Sequence, residues 1–132
     1  MSGSIIDTYG HNYCVIDVHN LFVGTTLRDE LLLLADREDC LAMVTDACAG
    51  YGMKLDPDRM LSSYSGGEQT IICCEMLLAL LPKSRTDVLF VHVLETLSAA
   101  NRRLLLERFA AALPQTALFT LTADGPQAVA HA

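Results

Sequence analysis

The segment Ser63–Gln69, SYSGGEQ, holds the residues best suited to chemistry. Ser65, Gly66, Gly67 and Glu68 stand directly ahead of a long apolar stretch that reads as a helix. At a helix start, unpaired backbone N–H groups and the positive end of the dipole face outward. Ser65 adds a hydroxyl donor, and the glycines let a ligand approach the backbone closely. That combination suits a terminal phosphate. The same four residues also make an ordinary helix start, with Ser65 as N-cap and Glu68 steadying the first turn. Taken alone, SGGE fits this second use better.

Other candidate groups carry less. The cysteines are Cys14, Cys40, Cys48, Cys73 and Cys74, an odd number with no Cys-x-x-Cys among them. A zinc site needs about four ligands at recognisable spacing, so no metal site is expected. Adjacent Cys73 and Cys74 diverge by about 100° on a helix. The thiols read as buried and reduced. His92 ends an apolar strand, where pockets open in parallel sheets, and its imidazole can titrate near neutrality. With no nucleophile or metal cluster nearby in the sequence, it reads as a structural histidine with its hydrogen bonds satisfied. His11 and His19 flank the first long strand and read as loop residues.

The elements that must position these groups follow from patterning. The 132 residues suit one domain, 1–132, with one core. Hydrophobic residues are 52% and charged residues 19%, more apolar than usual, which implies surface buried against a partner as well. The net charge of -7 and the lack of a basic stripe argue against nucleic acid or an anionic membrane as partner. The longest apolar run, Ile71–Leu81, is broken by Glu75 and falls short of the ~18–20 residues of a bilayer span. No transmembrane segment is expected. MSGSIIDTYGHNYC lacks a secretory pattern, so a cytoplasmic location is expected.

Ser4–Asp7 and Tyr13–Val18 read as strands around a turn at Gly10–Asn12. His19–Thr26 is a loop, and Thr26 caps a helix opening at Arg28 and running through Leu34. Asp36–Tyr51, with Leu41, Val44, Ala47 and Cys48 on one face, is a second helix closed by Gly50 and Gly52. Lys54–Ser65 reads as a linker, Gly66–Leu81 as a helix stopped by Pro82, and Thr86–Val93 as a buried strand. Ser98–Leu113 is a helix with Asn101, Arg102, Arg103, Glu107 and Arg108 outward. Thr116–Thr122 is a last strand, and the tail from Ala123 reads as loose. The fold class is α/β, with a small, mainly parallel sheet of three or four strands and a helical excursion in the middle. The final β–α–β unit makes its strands parallel neighbours.

SYSGGEQ resembles the ABC ATPase signature, LSGGQ or LSGGE, with Tyr64 where leucine is common. TDVLFVHVLETLSAANRRLLLERF follows at the distance expected for a Walker B strand, D-loop and helix. Its last part is similar to the ALDAANRR region of structural-maintenance-of-chromosomes and related ABC ATPases. CVIDVHNLFVGTTLRDELLL resembles the Q-loop strand and the entry to the helical subdomain. The resemblance spans Tyr13 to Thr122 in the right order. It implies an incomplete P-loop NTPase-like (ABC) core: 13–26 the Q-loop-like strand and loop, 27–81 an inserted helical subdomain, and 82–122 the Walker B-like and final strands. It also implies nucleotide contact in trans through Ser65, Gly66, Gly67 and Glu68.

The departures from the family are equally specific. No Gly-x-x-x-x-Gly-Lys-Ser/Thr occurs, so there is no Walker A cradle, and the chain reads as beginning after that element. Asp17 stands at the Q-loop glutamine, Val91 at the magnesium-binding Asp and His92 at the catalytic Glu. Ser98 stands at the D-loop Asp and Ala123 at the switch His. Placing His92 on the Asp and Val93 on the Glu needs a one-residue deletion and restores nothing. Valine cannot hold magnesium, and phosphoryl transfer needs cradle, metal and a water-orienting group. The resemblance therefore implies no independent ATP hydrolysis and no cofactor, save ATP shared with a partner chain. One expectation is an interaction or regulatory module that forms a homodimer, because a missing P-loop strand would open the sheet edge beside Thr116–Thr122. Another is a split subunit lending its signature to a Walker A-bearing partner ATPase. A truncated fragment is a third.

Overall fold

The computed structural model describes residues 3–6, 12–34, 38–80 and 87–129. The turn expected at Gly10–Asn12 lies largely outside them. The apolar run Asp87–Val91 is strand β3, buried at Val88, Leu89 and Phe90. It is the middle of a five-stranded sheet that follows chain order: β1 (Gly3–Ile6), β2 (Asn12–Asp17), β3, β4 (Leu118–Thr122), β5 (Gly125–Ala128). The three inner strands are parallel, with Ile16 beside Phe90 and Phe90 beside Thr120. Both outer strands are antiparallel to their neighbours. The protein is thus mixed α/β with a parallel centre, in five strands rather than three or four.

Within the tail expected to be loose, Gly125–Ala128 forms β5. Thr122 and Gly125 close a two-residue turn over Ala123 and Asp124. The Thr122 hydroxyl accepts from the Asp124 N–H at 3.2 Å and donates to the Gly125 carbonyl at 2.8 Å. Gly125 has φ 99, a left-handed conformation that costs glycine little. β4 is consequently paired on both sides, and the open edge expected beside Thr116–Thr122 does not exist. The Val129 N–H reaches the Leu118 carbonyl at 2.9 Å. Antiparallel bonding alternates from there, so the backbone nitrogen of Pro126 points to the outer edge, where proline has no hydrogen to offer.

Among the described residues, four helices lie between the parallel strands. α1 (Leu27–Leu34), α2 (Glu38–Ala49) and α3 (Gly66–Leu80) join β2 to β3, and α4 (Ala99–Ala112) joins β3 to β4. Thr26 caps α1 as expected, accepting from the Asp29 N–H at 3.1 Å. Past α2, Gly52 turns the chain at φ 79. The expected linker is tied down: Leu61 N–H bonds the Thr25 carbonyl at 2.8 Å, and Arg28 N–H bonds that of Pro57 at 3.1 Å. α3 is buried from Thr70 to Leu77, as suits a helix apolar all round. Phe90 of the sheet meets Phe109 of α4 edge-to-face at 5.5 Å. On the sheet's opposite face Tyr13 and Phe119 meet across β3 at 5.4 Å, beside the buried Leu89. No helix among the described residues is long and apolar enough to cross a membrane.

Among the described residues, two carboxylates are buried. Glu30 accepts from the Val23 N–H at 2.9 Å and also from the Gly24 N–H, which holds the loop after β2. Glu75, on α3, accepts from the Arg108 guanidinium at 2.6 Å and from the Tyr51 hydroxyl at 2.7 Å. Arg108 therefore does not simply point outward. A charge buried in a helix needs a partner, and the long arginine stem supplies one while half its side chain stays wet.

Candidate functional site

The start of α3 is built as a capping box. The Glu68 N–H donates to Ser65 Oγ at 3.2 Å, and the Ser65 N–H donates to Glu68 Oε1 at 3.0 Å. The ordinary helix-start use of these residues is thus present in full. Tyr64 is buried; its hydroxyl accepts from the Asp56 N–H at 3.0 Å and donates to the Asp56 carbonyl at 3.1 Å. Arg59 stacks 4.1 Å above its ring. The Gln69 side-chain amide donates to the Tyr64 carbonyl at 2.9 Å. This seats the helix start from behind.

The two glycines differ. A Cβ on Gly67 would stand 2.7 Å from the Thr96 carbonyl oxygen, closer than any real contact, so the fold itself requires glycine there. A Cβ on Gly66 would meet nothing within 4 Å. Among the described residues, nothing explains glycine at 66.

Ser65, Gly67 and Glu68 line a cleft of about 400 Å³ together with Tyr51, Ser98 and Asn101. Ser98 caps α4, accepting from the Asn101 N–H at 3.1 Å. Two helix starts, distant in sequence, therefore open onto one cleft. Burial and its bond to Glu75 hold the Tyr51 phenol well above its ordinary range.

The remaining expected positions lie elsewhere. Asp17 and Val91 are register partners at the ends of β2 and β3. The Asp17 carboxylate accepts from the His19 N–H at 2.9 Å, and the Val91 carbonyl accepts from Val18. His92 lies at the surface. Its side chain is 60% exposed, its backbone is left-handed at φ 58, and Nδ1 lies 3.4 Å from Glu95, a pair that is charged only when the imidazole is protonated. Ala123 is exposed in the β4–β5 turn. A second hollow, of about 370 Å³, is lined by His19, Phe22, Thr25, Ser62 and Gln69. Among the described residues, no three His, Cys, Asp or Glu gather as a metal ion would need.

All five cysteines are thiols rather than disulfides, and Cys40, Cys48, Cys73 and Cys74 are buried. Burial raises the thiols of Cys14, Cys48 and Cys74, with Cys48 pushed up to about 12. Sequence reasoning missed Tyr51 and the Glu75–Arg108 pair behind it. The one available signal was a glutamate interrupting an apolar run.

Fold and cleft together define a mixed α/β protein whose helical excursion and β3–α4 connection meet at a shared recess. The chain matches no protein-family model and no curated protein.

Proposed function

We propose that this chain is a catalytically inactive, ABC ATPase-like interaction module that offers the start of α3 to a nucleotide held by a Walker A-bearing partner chain. The observation that carries this reading is the contrast between the adjacent glycines: Gly67 is required by Thr96, whereas Gly66 faces open space. A glycine without an internal reason, beside an exposed serine at a helix start, is suited to close approach by a phosphate from outside. Two further features support it. Ser98, at the D-loop-like position, shares the cleft with Ser65. The parallel neighbours β3 and β4 are also those expected of the β–α–β unit in the Walker B-like part.

In this reading the chain performs no chemistry of its own. Val91 and Ser98 offer no carboxylate for magnesium or for the D-loop, and His92 and Ala123 stand where a catalytic Glu and a switch His would be. Metal and phosphate cradle belong to the partner. Self-association through the edge of β4 plays no part, because β5 covers that edge.

The test uses the ATPase bearing Walker A that is encoded nearest to this chain. Adding the chain should raise ATP turnover, and Ser65→Arg should abolish the gain while lowering the thermal midpoint by no more than the lost N-cap does, about 1 kcal/mol or roughly 3–5 °C. A Ser65→Arg chain that stimulates normally would sink the reading.

A further inference from the structure

The connection between β3 and α4, residues 92–98, runs from the carboxyl end of the sheet to the cleft. It begins at His92, the only non-glycine residue with positive φ among the described residues. It is then fastened at three points. The Thr96 hydroxyl donates to the Val93 carbonyl at 2.6 Å, so the 2.9 Å contact with Thr70 must be donated by the Thr70 hydroxyl. The Thr96 carbonyl fills the space that a side chain on Gly67 would need. The Arg102 guanidinium donates to the Leu94 carbonyl at 3.1 Å.

We propose that this connection is a conformational latch, whose fastening to the start of α3 decides whether His92 stays left-handed. A residue with a Cβ does not favour that backbone, so its surroundings must hold it. The His92 and Glu95 side chains are 60% and 64% exposed and hold little. The restraint comes through Val93, Leu94 and Thr96, and Thr96 is fixed by Thr70 and Gly67 of α3. A shift of the α3 start, such as an occupant of the cleft between Ser65 and Ser98 would impose, moves Thr96 directly because no gap separates it from Gly67. Releasing Thr96 frees His92 to return to ordinary backbone, and the change emerges at the carboxyl end of the sheet. The latch depends only on these contacts, so its test is independent of the proposed trans contact.

Hydrogen exchange on the full chain tests it. Thr70→Val removes the donor to Thr96 and keeps its shape. Exchange at amides 94–97 should rise about tenfold, one lost buried hydrogen bond, while amides of β2 and β3 keep their rates. Thr70→Ser, which retains the hydroxyl, should behave as wild type. His92→Gly, which cannot clash and relieves the left-handed cost, should slow exchange at 94–97 about threefold after allowing for the freedom of glycine. Unchanged exchange at 94–97 in Thr70→Val overturns the latch, and so does unchanged or faster exchange there in His92→Gly.

Discussion

Replacing the two glycines at the start of α3 one at a time should move stability in opposite directions. In Gly67→Ala the new methyl would sit 2.7 Å from the Thr96 carbonyl oxygen. The obstacle is backbone, and Thr96 is pinned by its own hydroxyl bonds to Val93 and Thr70, so it cannot rotate aside. Overpacking of this kind costs about 1–3 kcal/mol, and the better helix propensity of alanine returns up to about 1 kcal/mol. The net expectation is a loss of about 1–2 kcal/mol, or roughly 4–8 °C in a chain of this size. In Gly66→Ala the methyl meets open space on an ordinary backbone, so reduced freedom of the unfolded chain should stabilise by about 0.5 kcal/mol. The protein has no tryptophan, so urea unfolding is best followed by far-ultraviolet circular dichroism. A neutral Gly67→Ala would show that α3 is not seated against Thr96. A destabilising Gly66→Ala would show that the space beside residue 66 is filled.

Three other outcomes follow from the same contacts. Arg108→Met strands the buried Glu75 carboxylate and should cost about 3 kcal/mol; adding Glu75→Gln should recover more than half, and a double-mutant cycle without coupling would refute the pairing. Glu30→Ala leaves two loop N–H groups unpaired and should cost about 3 kcal/mol in urea unfolding; a loss below about 1 kcal/mol would mean that water replaces the carboxylate. Cys48 is raised by burial from 9.0 to about 12, so the unfolded chain ionises first: its contribution is intact below pH 9 and is lost as pH rises toward 12, at about 1.4 kcal/mol per pH unit. Cys14 and Cys74 act in the same direction, and unfolding measured from pH 8.5 to 10.5 should show a shallower slope in Cys48→Ala than in wild type.

Local signals carried much of the fold. Thr26, Ser65 and Ser98 mark helix starts because their hydroxyls serve amides within three residues, which sequence spacing records directly. β3 stops at Val91, short of the expected Val93, because His92 turns left-handed, a choice made by Thr96 and α3 rather than by histidine itself. β5 was missed because GPQA has little strand preference, and pairing with β4 is what makes it a strand. The Ala-Asp-Gly turn was a readable hint. Glu75 and Arg108 belong to separate helices, so no periodicity links them. The SGGE motif was legible as a helix start. That one glycine is required and the other is not depends on the carbonyl of a residue from another element.

The β4–β5 hairpin limits how this chain can join another. Chains can join by strand donation, one adding a strand to an open edge of the other's sheet. Here the recipient position beside β4 is already taken by the chain's own β5, and the next edge outward presents Pro126, a poor template. A strand from another chain would have to peel residues 125–128 away before it could pair with β4. Any partnership at this end is made surface to surface, and it can form and come apart without either polypeptide refolding.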